Sequence, residues 1–286
     1  MYFKINKGIE IIKKTLCYNK IKKISEARLM KVMTFNIRAD NVLDINNRWE
    51  KRAHLVYETI KHYDCDIIGL QEVTEKMHRD ICNNMKDYTI LGLGRTKKFF
   101  SEKNSLLIKK KYSVLEHKTF WLSKTPSKSG STVWFSLFPR ICTTAVCQSE
   151  SGQKIRIYNT HLDCLSAKAR EFGLKKIIEV MEKNYEKEQL PCILMGDFNA
   201  TPNSKLMKNF KDGTYTSKKL FAVQDVNEAL YSKTTMSMFK GREKGVHIDY
   251  IFVSEEFEIE NAEVIKYNKA GKYPSDHYPI VAKLKI

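Results

Sequence analysis

The chain has 286 residues, 42% of them apolar and 29% charged, which is enough for one large α/β domain or two small ones. No stretch approaches the ~20 apolar residues of a membrane span, and the formal charge of +17 attracts phosphate-rich partners without separating nucleic acid from an anionic membrane. The cysteines (Cys17, Cys65, Cys82, Cys142, Cys147, Cys164, Cys192) include no Cys-x-x-Cys pair; with no secretory signal at the start, they read as reduced, mostly buried thiols of a cytoplasmic protein.

Residues 1–30 carry eight Lys/Arg against two acids, with Ile11, Ile12, Leu16, Ile21 and Ile24 at helical spacing. This predicts a basic amphipathic extension, peripheral to catalysis, that packs on the domain or lies on a membrane surface. Met30 stands directly before the first predicted strand, so translation from there would omit the segment. From residue 31 to 286 no repeat or linker-like stretch appears, and a single domain is expected.

Within that domain residues 31–37 (KVMTFNI) predict a buried strand, and residues 48–63 a helix through Trp49, Ala53, Val56, Tyr57 and Ile60. Residues 65–73 (CDIIGLQEV) are a second apolar strand, followed by a helix opened by Thr74 as N-cap. Residues 88–94, 104–123 and 141–163 read as β-structure, the last with a Ser151-Gly152 turn. A charged amphipathic helix over 166–189 leads to the strand PCILMGDFNA, and 246–253 and 278–285 close the chain. Five apolar runs end in acid, amide or imidazole: FNIR, LQE, NTHLD, GDFN and SDH. Polar groups at strand ends gather at one edge of a sheet, where α/β folds place ligands.

Each ending is ambiguous by itself. Asn36 beside Glu72 suits a hard cation, which takes few protein oxygens, but Gln-Glu after a strand is usually a solvated end. Gly196 permits a tight exit that leaves Asp197 and Asn199 two residues apart, able to orient a water or a phosphate oxygen, or merely to close an Asx-turn. His161 and His277 are imidazoles with acids nearby, and Asp163, Asp249 or Asp276 could each fix a tautomer and raise basicity.

The ordered series TFNIR, GLQEV, NTHLD, GDFNA, HIDYIFVS and SDHYPI resembles the endonuclease/exonuclease/phosphatase superfamily, which includes DNase I, abasic-site endonucleases, sphingomyelinases, inositol phosphatases and deadenylase/nocturnin-like enzymes. The resemblance runs from about Lys31 to the C-terminus and implies a DNase I-like, four-layer α/β sandwich of two mixed sheets flanked by helices. It further implies a monomeric, metal-dependent hydrolase of phosphoric ester bonds using Mg²⁺, with Mn²⁺ able to substitute. In that likeness Asn36, Glu72 and Asp276 form the metal side. His161 holds the scissile phosphate, Asp197 and Asn199 position or activate water, and Asp249 orients His277; whether Asp197 or His277 takes the water's proton stays open.

This chain departs from the pattern in two places. Some members carry an acid two residues after the strand-end Asn, where this chain has Arg38, and the residue before the HIDY isoleucine is more often Arg than His247. The stretches NIRADN, NRWEKR, FWLSKTP and FPRICTTA are similar to a bacterial branch with some likeness to the deadenylase/nocturnin-like enzymes. They suggest Arg38, Arg48, Arg52, Trp121 and Arg140 as substrate-cleft residues, although Trp121 could equally be a core aromatic. The expected substrate is nucleic acid or a small phosphorylated metabolite. The alternatives are a sphingomyelinase-like phospholipid phosphodiesterase and a non-catalytic binding protein of the same fold. Specificity is expected in loops near 39–50, 94–104, 121–140 and 231–245.

Overall fold

A computed structural model gives the protein's structure over residues 29–97, 101–216 and 218–286. The basic amphipathic segment thus lies outside the described residues, apart from Leu29 and Met30. Those two already belong to a strand: β1 runs Leu29–Asn36, with Met30 buried opposite Leu284.

Two six-stranded mixed sheets face each other. The first holds β1, β2 (Ile67–Val73), β3 (Tyr88–Leu91), β4 (Lys103–Lys109), β11 (Glu258–Val264) and β12 (Ile280–Lys285), in the order β11-β12-β1-β2-β4-β3. The second holds β5 (Ser113–Trp121), β6 (Ile141–Gln148), β7 (Lys154–His161), β8 (Cys192–Asp197), β9 (Leu220–Ala222) and β10 (Asp249–Ser254), in the order β5-β6-β7-β8-β10-β9. Helices α1 (Trp49–Tyr63) and α2 (Glu75–Asn84) cover the first sheet, and α3 (Ala167–Lys187) and α4 (Lys205–Lys211) cover the second. Four layers result, as the family likeness implies. The turn at Ser151-Gly152 joins β6 to β7, with Gln148 opposite Lys154. Thr74 does stand at the N-cap of α2, but its side chain makes no capping bond.

The period of two in each strand builds these layers. In β1, Met30 and Val32 pack between the sheets while Met33 and Phe35 pack under α1 and α2. In β8, Ile193 and Met195 face inward while Cys192 and Leu194 meet α3 and α4. Side chains such as Phe35, Ile60, Leu174 and Ile251 are fully buried, each contributing ~1.5–3 kcal/mol through removal from water. Both faces of the central strands are covered, which is why their sequences read as near-continuous apolar runs.

At the middle of the sandwich the sheets come into close contact. A Cβ on Gly69 of β2 would lie 2.7 Å from Met195 Sδ and 2.8 Å from Asn159 Oδ1 of the opposite sheet, so no side chain fits there. Around this contact Gln71 Nε2 donates to Asn159 Oδ1 (2.7 Å), and Asn159 Nδ2 donates to the carbonyls of Leu70 (3.0 Å) and Ser105 (2.8 Å). Buried amides bonded between the sheets in this way fix the relative position of the layers, because any slip would break those bonds.

Candidate active site

The inward-facing row of each central strand runs from apolar to polar at the same end of the sandwich. Val32 and Thr34 lead to Asn36, Ile157 and Asn159 to His161, and Ile193 and Met195 to Asp197. Strand β10 runs antiparallel to β8, so its first residue, Asp249, pairs with Asp197. Strand β12 runs antiparallel to β1, so the preceding residues Asp276 and His277 arrive beside Asn36; Ser275 Oγ donates to the Asn36 carbonyl at 2.7 Å.

Glu72 gets there by a different route. Its neighbours Ile68 and Leu70 face the helices, and strict alternation would send Glu72 after them. Instead the pairing of β2 with β4 slips between Leu70 and Val73, and Glu72 adopts φ +62, which turns the carboxylate inward. A bulge combined with a left-handed non-glycine residue is a local cost that the surrounding structure has to hold in place. Arg38 (φ +54) and Asn199 (φ +48) share this strained backbone at the same site. Gly196 meets a harder limit, since at φ +148 a Cβ would stand 1.9 Å from the Thr160 carbonyl oxygen.

The carboxylate pole consists of Glu72 and Asp276. Glu72 accepts Asn36 Nδ2 (2.9 Å) and the Ala39 N–H (2.8 Å). Burial works against its charge, but these donors and the charges of His277 and Arg38 hold it below the ordinary carboxylate value. Burial pushes Asp276 up; His277 opposes that, and the facing charge of Glu72 adds to it. A half-buried carboxylate held ionised beside a buried one whose charge is disfavoured is a donor set that a hard divalent cation stabilises, so the residues fit such an ion. Asn36 contributes differently from the expected carbonyl ligand. Its Nδ2 serves both Glu72 and Asp197 (3.0 Å), and its Oδ1 accepts the Arg38 N–H (3.0 Å). Asp197, Asp249 and His277 also bring one potential ligand atom each within 4.8 Å of one another. There, however, the His277 imidazole is held in its charged form with Nδ1 bonded to Asp249, and an imidazolium has no lone pair to give an ion. Glu72 and Asp276 are therefore the better metal candidates.

The imidazole pole is a cluster of neighbouring titratable groups in which the buried Asp249 Oδ1 has no hydrogen-bond partner. His277 Nδ1 bonds Asp249 Oδ2 at 2.9 Å, while His277 Nε2 and His161 Nε2 lie 3.8 and 3.6 Å from Asp197 Oδ2. The other oxygen, Asp197 Oδ1, accepts the Asn199 N–H at 2.8 Å, and Asn199 Nδ2 donates to the Leu162 carbonyl. Burial together with the Asp249 charge pushes Asp197 up to about 7. For His277 burial opposes the charge, but Asp249, Asp197 and Asp276 outweigh it and hold the imidazolium well above the usual histidine value. His161 goes the other way: burial and the positive charges of Arg140, His277 and Arg95 keep it neutral. One end of the sandwich therefore presents a charged imidazole, a neutral imidazole and a carboxylate that titrates near neutrality.

Not every expected residue joins this group. Of the three acids that could have oriented a histidine, only Asp249 does so. Asp163 turns away to accept Ser136 Oγ (2.6 Å) and the N–H groups of Leu165 and Ser166 at the start of α3. Arg48 is held by Asp40 through bonds of 2.6 and 2.9 Å. Arg52 is buried and donates to four carbonyls, those of Ile37, Arg38, Asn47 and Pro274, so it clamps the backbone behind the site instead of meeting ligand. Trp121 is buried with its Nε1 on the Arg95 carbonyl (2.7 Å), a core aromatic. Arg140 does reach the site, flanking a gap of about 10 Å³ that His161, Arg95, Glu102 and Asn104 also line. Arg38 lies across the carboxylate pole, 3.7 Å from Asp276 and bonded to Asp44. Sequence reasoning missed Arg95, Glu102, Asp44 and Asn159. The first two fall in a loop already singled out for specificity, and Asn159 was visible as an amide on an inward position of a strand. His247, the second departure, packs against Gln224 and the Lys233 carbonyl, away from the cluster.

Comparison with known proteins bears on the family and the fold. The model of the Endonuclease/Exonuclease/phosphatase family matches residues 33–277. Mouse (Mus musculus) Nocturnin is 24% identical over 257 residues, covering 82% of this chain and 58% of that protein; the chain therefore spans less than two thirds of that relative. A solved endonuclease/exonuclease/phosphatase family protein from Bacteroides thetaiotaomicron superposes with a TM-score of 0.80 at 25% identity, covering 91% of this chain and 98% of the other. The mannosyl-6-phosphatase of Bacteroides thetaiotaomicron VPI-5482 does so with a TM-score of 0.79 at 25% identity, covering 89% and 99%.

Proposed function

Because this chain belongs to the endonuclease/exonuclease/phosphatase family, we propose that it hydrolyses a phosphoric ester with the help of Mg²⁺, Mn²⁺ substituting, and that its substrate is a small phosphorylated metabolite. The observation that carries the reading is the pairing of two unlike poles at one end of the sandwich: the half-buried Glu72 with the buried Asp276, and the His161–Asp197–His277–Asp249 cluster. Glu72 and Asp276 would hold the ion, which supplies a Lewis acid for the phosphoryl oxygens when bound.

The chain's own groups do the rest. His161, neutral and backed by Arg140, presents an N–H to a phosphoryl oxygen and strengthens as charge develops there. Asp197, with a pKa of about 7, can take a proton from water near neutral pH. Asn36 and the Asn199 N–H orient it, which fixes the attack geometry. His277 is charged and aimed by Asp249, so it suits the role of electrostatic stabiliser and proton donor better than that of base. This assigns the water's proton to Asp197.

The small-metabolite reading is supported by the likeness to a mannosyl-6-phosphatase over 89% of the chain. Nucleic acid is the second reading, favoured by the charge of +17. No described helix is long and apolar enough to cross a membrane. A Mg²⁺/EDTA-paired panel of sugar and nucleotide phosphates, bis-p-nitrophenyl phosphate, single- and double-stranded DNA, RNA and sphingomyelin tests the proposal. Turnover of sugar or nucleotide phosphates that EDTA abolishes is expected. Turnover undiminished by EDTA, or preference for a polynucleotide or lipid, would overturn the metal or the substrate half respectively.

A further inference from the structure

Arg38 reaches into the carboxylate pole, and its backbone aims it there. At φ +54 its N–H is held by Asn36 Oδ1 and its carbonyl by Arg52, so the side chain folds back over Glu72 and Asp276. The guanidinium grips Asp44 through bonds of 2.9 and 3.1 Å and stands 3.7 Å from Asp276 Oδ2. Glu72, Asp276 and Asp44 bring three carboxylates to this corner, and Arg38 is the cation whose guanidinium lies against two of them, with Arg52 and His277 acting from behind. A second ion would have to approach a guanidinium at short range in a poorly screened setting.

We propose that Arg38 is a resident cation of this pole, latched by Asp44, and that it restricts the pole to a single divalent ion. The inference rests on the reading of Glu72 and Asp276 as the metal-holding carboxylates. It concerns metal stoichiometry, which catalytic rate alone does not report. Arg38→Glu turns the fixed positive charge into a carboxylate ligand. Arg38→Met keeps most of the volume and removes only the charge, leaving Asp44 free to coordinate.

Mn²⁺ binding to the full chain, counted by electron paramagnetic resonance titration and equilibrium dialysis, tests this. Thermal melts with and without Mn²⁺ would accompany it. One Mn²⁺ is expected for the wild-type protein and two for both variants, the second held at least tenfold more tightly in Arg38→Glu than in Arg38→Met. Mn²⁺ should also raise the melting temperature of either variant by more than that of the wild type, because the uncompensated carboxylates destabilise the metal-free fold. If Arg38→Glu does not fold, the count in Arg38→Met decides. A count of one in a folded variant, or of two in the wild type, overturns the proposal. A wild-type count of zero instead removes the metal reading of Glu72 and Asp276 on which it stands.

Discussion

The two poles of the site are built on opposite principles. The Glu72/Asp276 pole is a matter of fixed charge: half-buried Glu72 and buried Asp276 are reached through strained backbone and balanced in part by the chain's own Arg38. The His161/Asp197/His277/Asp249 pole is a matter of titrating groups: Asp249 orients His277, the Asn199 N–H orients Asp197, and the charges around them push Asp197 and His277 up. Fixed negative charge is what a cation answers, whereas neighbouring groups of unlike proton affinity suit the movement of protons. The two principles meet at one edge of the sandwich, where Asp276 and His277 enter on the same stretch of chain.

That contrast can be broken or sharpened by substitution. The largest effect is expected for Glu72→Gln, which removes the only carboxylate the first sheet's β2 sends into the site. Mg²⁺-dependent turnover should fall by on the order of 10³-fold, several kcal/mol of barrier, and Mg²⁺ should no longer raise the melting temperature. Full activity in that variant would erase the distinction between the poles. His161→Ala and His277→Ala should each slow turnover by about 10²-fold or more, with Mn²⁺ affinity little changed. Weakened Mn²⁺ binding in the His277 variant would move the ion to the Asp197–Asp249–His277 group.

Smaller effects come from pH. Asp197 is active as a base only when deprotonated, so kcat/KM should rise through about pH 7 and fall again once His277, held protonated well above its ordinary value, loses its proton. Asp249→Asn withdraws the carboxylate that most favours that imidazolium, so the alkaline limb should move to lower pH by about 1–3 units. An unmoved limb in a full pH–rate profile would show that His277 does not set it. At the bottom of the scale, Arg48→Ala should change activity by less than about twofold and cost about 1 kcal/mol of stability, because its bidentate pair with Asp40 is half-buried but lies away from the two poles. Assays and a chemical melt check both.

Much of this arrangement was legible in the sequence because the strands keep their alternation. Asn36, His161 and Asp197 lie on inward rows that can be counted from the apolar residues before them and Asp249 from those after it, and antiparallel pairing brings Asp276 and His277 to the same end. Glu72 was found through its resemblance to a family motif. Alternation alone would have turned it toward the helices, and only the bulge and its positive φ explain its place. Reading Asp163 as a partner for a histidine failed because local capping of α3 competes for its oxygens, a contact between residues two and three apart that spacing does not rank against a distant imidazole. Arg52 and Trp121 were candidates for the cleft through the likeness of the stretches NRWEKR and FWLSKTP to a bacterial branch, with a core aromatic the equal alternative for Trp121. Their partners are backbone carbonyls brought in by chain folding, which no local pattern announces.

The pairing of β1 with β12 has a consequence for the order in which this protein comes into being. Strand β1 is made first among the described strands, yet its neighbour on one side is the last, from Leu29 against Lys285 to Thr34 against Ile280. Asp276 and His277 arrive with that same closing strand. A nascent chain that has not yet reached β12 therefore holds β1 with an open edge and lacks both Asp276 and His277 beside Asn36, so closing that edge and assembling the two poles are a single step.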